Sequence, residues 1–170
     1  LLRAASRRLR IACWRDMGMT AEPLPPDSFA AFERCVVGAG AAATSDRAGL
    51  RGQRAATLAR RAGACDHLIT AAFVHDFARR VGRDDAARCA SRSAELLSSV
   101  FPGELLAWLR QVDDLPGADP APHHAGHAAP PSAGARRLRQ FIAGADAGAA
   151  HPPLPIAALI AIARRASIDG

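Results

Sequence analysis

The run DHLITAAFVHD, residues 66–76, narrows the choice of fold more than any other stretch of the chain. Leu68, Ile69, Ala72, Phe73 and Val74 make it apolar on most sides of a helix, and such a helix is stable in water only when neighbours cover it all round. It is therefore expected to be the central, buried helix of an all-helical domain. No segment shows sustained period-two alternation, so strands are not expected. The predicted architecture is all-α, a single compact domain of about six to eight helices, within the usual single-core range of about 100–200 residues.

The remaining segments follow from punctuation and spacing. Residues 1–26 read as a basic N-terminal helix or arm, with Leu9, Ile11 and Trp14 among five arginines, followed by a proline-rich linker. The domain proper is placed at 27–170. Asp27 or Ser28 is expected to cap a helix carrying Phe29, Phe32 and Val36, and the Gly/Ala-rich run 37–44 reads as a loop. A helix over 47–61, stopped by Gly63, precedes the central one. Asp84 and Asp85 suit the start of a further helix with a stripe of Leu96, Leu97 and Val100, closed by Pro102. Helices over 104–112, 135–142 and 155–167 complete the set, with a mobile loop predicted over 113–134.

The formal charge of +6 comes entirely from arginine, for the chain has no Lys, and it also lacks Asn and Tyr. That bias points to a GC-rich coding sequence and makes the basic balance weak support for a nucleic-acid partner. With only six Phe and two Trp, stacking platforms for bases are scarce, and a nucleic-acid-binding module is the least favoured reading. No apolar run reaches the ~20 residues of a membrane span, so no membrane partner is expected. Cys13, Cys35, Cys65 and Cys89 form no C-x-x-C pair and follow no secretory signal, which suggests a reduced, cytoplasmic chain; the first three read as small buried hydrophobes. The first residue is Leu, which is compatible with a fragment of a longer protein.

The stretch AGACDHLITAAFVHDF, residues 62–77, ends in adjacent His75 and Asp76, and here the chain resembles the HD superfamily. SAELLSSVFPGELLAWLR, DPAPHHAG and AALIAIARR support the resemblance in the right order, from about residue 46 to the end. The similarity is to the small HD-domain proteins that include diiron organophosphonate oxygenases and proteins described as phosphohydrolases. It implies a helical fold in which a His-Asp doublet helps hold a divalent metal that activates water or oxygen.

The same resemblance shows what is missing. Arg51 stands where the family has its first metal-binding His, Arg79 where a His follows the doublet, and Cys89 and Val112 where two more are found. Ala166, Ser167 and Ile168 occupy the place of a terminal tryptophan and paired aspartates, with Asp169 reachable only by a shift. Of the metal shell only His75 and Asp76 survive, and two ligands hold poorly an ion that wants about six donors. No cofactor is expected; iron or manganese is implied if the protein is active.

An Arg51–Asp76 ion pair is expected to fill the vacated cavity, with His75 either a residual ligand or a buried, hydrogen-bonded histidine. Cys89 is either a soft-metal ligand or a buried structural thiol. His123, His124 and His127 form an H-H-x-x-H cluster that would hold zinc only if a proline-rich loop folded around it, and His67 and His151 read as solvated helix-end residues.

The leading functional expectation is a non-catalytic pseudoenzyme that acts as a binding or partner subunit for an unknown protein or a small anionic ligand. The alternative is a metal-dependent HD phosphohydrolase or iron oxygenase acting on a phosphorylated or phosphonate substrate. Arg51, Arg54, Arg79 and Arg80 are the candidate anion clamp in either case.

Overall fold

Aromatic side chains at helical spacing set the hydrophobic centre. The computed structural model describes residues 28–42, 50–81, 88–115, 130–148 and 151–168. Helix α1, Ser28–Ala42, buries Phe29, Phe32, Cys35 and Val36 along one stripe. Phe32 is fully enclosed, with Phe29, Phe77 and Phe101 at centroid distances of 5.5, 5.6 and 5.3 Å, the last edge-on. Where a loop was expected from Val37 onward, the helix continues to Ala42, because alanine carries a strong helical preference once the preceding turns are anchored.

Helix α2, Arg51–Arg61, stops at Gly63 as expected, whose φ of 68° is the left-handed conformation that glycine adopts freely; the predicted start at residue 47 lies outside the described residues. Helix α3, Asp66–Val74, starts at the predicted residue, with Asp66 in its first turn and every residue from Leu68 to Val74 buried. It stops short of the expected end at Asp76, because the chain bends at His75 and Asp76 before a separate turn begins at Phe77. It packs on α2 and also meets three later helices, as an element apolar on all sides must. Cys65, expected inside, is exposed, because it precedes the first turn and does not lie on a helix face.

A single turn, α4 (Phe77–Arg80), leads to α5 (Cys89–Leu96) and α6 (Gly103–Asp114). Helix α6 outruns its expected end by two residues and stops where Leu115, extended at ψ 131°, precedes a proline. Helix α7, Ala133–Asp146, is longer at both ends than expected. Its N-cap Ser132 Oγ accepts from the Ala135 amide at 3.2 Å and is itself held by Gln111 Oε1, at 2.8 Å from Oγ and 2.9 Å from the Ser132 amide. Gly134, placed in the loop by its composition, is helical and lies flat against Trp108, whose ring atoms would stand 2.4 Å from a Cβ there. Helix α8, Ile156–Arg165, closes the structure against α3 and α1.

Every regular element among the described residues is a helix, and none is long and apolar enough to cross a membrane. The N-terminal arm, the Asp84–Asp85 helix start, Cys13, the histidine cluster at 123–127 and Asp169 lie outside the described residues, as does most of the predicted 113–134 loop.

Candidate anion-binding cleft

The buried end of α3 delivers His75 and Asp76 into the interior, at 3% and 1% exposure. His75 caps the helix and Asp76 starts α4, so the doublet sits at a bend between two helical turns. His75 Nδ1 lies 2.8 Å from the Ala72 carbonyl oxygen. Because a carbonyl only accepts, Nδ1 carries the proton and donates, which leaves Nε2 as a bare acceptor. Burial pushes the imidazole pKa below its ordinary value, Arg51 and Arg80 push the same way, and Asp76 and the Ala72 carbonyl oppose them. Nε2 is buried without a hydrogen-bond partner.

Asp76 is held by its own helix. Arg80 Nε donates to Asp76 Oδ1 at 3.0 Å, one turn on, while the guanidinium lies 4.9 Å from the centre of the Phe73 ring and Nη2 reaches the Phe73 carbonyl at 3.5 Å. Gly52 makes this possible: a Cβ there would come within 2.3 Å of both the Phe73 carbonyl oxygen and Arg80 Nη2, and 2.8 Å of Asp76 Oδ1. Asp76 Oδ2 is buried and unpartnered.

Arg51 does not pair with Asp76. Its Nε and Nη2 each donate at 2.6 Å to the two carboxylate oxygens of Asp146, a bidentate contact between the first residue of α2 and the last of α7. The reason is positional: Gly52 and Arg80 already close off Asp76, while Arg51 at the helix start faces the end of α7.

Arg51, Arg54, Arg79, Ala145, Asp146, Ala147 and Gly148 line an open cleft of about 440 Å³. Gly148, at φ 80°, takes the left-handed conformation just past the end of α7. Among the four arginines singled out from the sequence, three therefore share one cleft; Arg80 is turned inward on Asp76 and is not among its lining residues. Arg51 is engaged by Asp146, whereas neither Arg54 nor Arg79 has a carboxylate partner among the described residues.

Beyond Arg51 and Arg79, most of the positions at which the sequence resemblance would place ligands are buried. Cys89 is buried; burial raises its thiol pKa, Asp76 and Asp113 add to the rise, and the Arg79 backbone and charge oppose it, so it is not a ready thiolate. Ser93 joins α5 to the doublet's bend, its Oγ accepting from the Ala78 amide at 2.9 Å and lying 2.8 Å from the Cys89 carbonyl and 3.2 Å from that of His75. Val112 is a core side chain, Ala166 is buried and Ile168 is exposed. His151 is exposed and His67 half-buried.

A divalent metal fits this arrangement poorly. No three His, Cys, Asp or Glu side chains converge among the described residues, one oxygen of Asp76 is committed to Arg80, and two guanidinium charges act on His75.

Asp146 was not singled out from the sequence, although it left a signal. A carboxylate in the last turn of a helix opposes the helix dipole, and its presence there calls for a cation from elsewhere. Comparison with family models, with curated proteins and with solved structures returned no match.

Proposed function

We propose that this chain is an HD-type helical domain that has kept the His75–Asp76 doublet, lost the rest of the metal shell, and serves as a non-catalytic cytoplasmic binding subunit for a small phosphate-type anion. The observation that carries the reading is the meeting of Arg51, Arg54 and Arg79, from two separate helical segments, on one open cleft beside the doublet. Guanidinium forks match phosphate oxygens in pairs, and two of these arginines have no carboxylate partner to give up among the described residues. Calorimetric titration of inorganic phosphate into the wild-type protein tests it. Binding that is lost in both Arg54→Ala and Arg79→Ala is the expected result, and an absence of binding overturns the reading.

The metal-dependent enzyme is the second reading, favoured by the unpartnered Nε2 of His75 and Oδ2 of Asp76. Titration of iron(II) and manganese(II) separates the two. Micromolar or tighter metal binding that Asp76→Ala abolishes would put the enzyme in place of the binding subunit.

A further inference from the structure

The cleft is lined by two chemically unlike sets of groups, guanidinium donors and a carboxylate acceptor, and from them we infer its ligand class: a phosphate ester of a sugar or other polyol, with Asp146 as the residue that selects the hydroxyls. The inference rests on the anion-binding reading and deepens it. Arg54 and Arg79 line it with guanidinium groups that have no carboxylate partner among the described residues. Asp146, beside Ala145, Ala147 and Gly148 in the lining, brings a carboxylate that is tied to Arg51.

Each carboxylate oxygen has about two lone-pair positions, and Arg51 occupies one on each. Asp146, with its side chain 46% exposed, therefore keeps acceptor capacity toward the cleft. A ligand that fills the cleft with its phosphate on Arg54 and Arg79 also meets this acceptor and must bring a donor to it.

Three neighbouring guanidinium groups disfavour an ammonium donor, which leaves neutral hydroxyls. Room is no obstacle: about 440 Å³ is many times the ~30 Å³ share of one water, so a bare phosphate leaves much of the cleft empty. Ala147 and Gly148 offer no large side chain to compete for that space.

The test is a calorimetric comparison of sorbitol 6-phosphate with hexyl phosphate, which has the same carbon count and no hydroxyl, on the full chain. Wild-type protein is expected to prefer the polyol ester by about five- to tenfold, the range of one or two net hydrogen bonds. Asp146→Ala should bring the ratio close to one, and Asp146→Asn, which keeps a carbonyl acceptor, should retain part of it. Thermal melts confirm that each variant is folded.

If both esters bind with a wild-type ratio near one, or if Asp146→Ala leaves the ratio unchanged, the polyol assignment is wrong while the anion cleft stands. If neither ester nor inorganic phosphate binds, the cleft reading itself has failed and the assignment goes with it.

Discussion

Arg80 Nε lies 3.0 Å from Asp76 Oδ1, with the two side chains 9% and 1% exposed, so the buried carboxylate of the doublet is compensated from within its own segment. Breaking a buried pair from one side leaves a charge with no partner and costs about 3–5 kcal/mol. Arg80→Ala is expected to destabilise the protein by that order. The double variant Arg80→Leu with Asp76→Asn should recover much of the loss, and chemical denaturation of the three proteins measures both effects. Equal stability of Arg80→Ala and wild type would mean that the pair contributes nothing.

Gly52 is the second point of dependence. An alanine Cβ would press on a backbone carbonyl and on the Arg80 guanidinium at 2.3 Å, and the carbonyl cannot rotate away. Overpacking of this kind costs about 1–3 kcal/mol, which outweighs the roughly 1 kcal/mol that alanine gains over glycine in a helix. Gly52→Ala should lower the melting temperature, whereas Gly103→Ala, where a Cβ meets nothing within 4 Å, should not.

His75 should make stability depend on pH. Its folded-state pKa lies below the unfolded value of 6.5, so above 6.5 the ring is neutral in both states and contributes its full stability. As pH falls below 6.5 the unfolded chain takes up a proton that the folded chain refuses, and stability declines with a slope of at most ~1.4 kcal/mol per pH unit from this group. Denaturation midpoints between pH 7.5 and 5 should therefore fall more steeply for wild type than for His75→Gln. Parallel profiles would count against a buried neutral imidazole.

The Arg51–Asp146 pair should matter little to stability. With the two side chains 25% and 46% exposed, it lies in the class of surface ion pairs worth about 0–1 kcal/mol. Asp146→Ala should shift the denaturation midpoint only slightly. A large loss would make the pair a structural tie and weaken its role in ligand selection.

The start of α3 at Asp66 and its burial from Leu68 to Val74 were legible, because an unbroken apolar run behind a charged start must be covered on all sides. Its end at Val74, ahead of the doublet, was not, since the bend at His75 and Asp76 leaves no mark in the apolar spacing. The end of α6 ahead of Leu115 was legible within two residues, whereas the helix expected to run to Pro102 stops at Leu96, so that Leu97 and Val100 are buried from turns and not from a helical stripe. Gly134 was misplaced because a glycine that admits an indole ring and a glycine that makes a turn look alike in sequence. The cleft's arginines could be named, but not their partners. Arg51 could have turned to Asp76 or to Asp146, 95 positions away, and only the crowding at Gly52 decides between them. Arg80 was placed in the clamp on the same footing, yet its one-turn spacing from Asp76 takes it out.

Helix α2 also anchors the segment ahead of α8: Gln53 Nε2 donates to the Leu154 carbonyl at 3.1 Å, and Thr57 Oγ1 accepts from the Leu154 amide at 2.8 Å. These contacts span 101 and 97 positions, and the Arg51–Asp146 pair spans 95. During synthesis α2 is complete long before the residues that fix its outer side have been added, and closing such long loops is the slow step in forming non-local contacts. The cleft is thus assembled only after residues 146–154 have been added, and a nascent chain that has reached only α3 would present Arg51 and Arg54 without the wall that Asp146 to Gly148 provide.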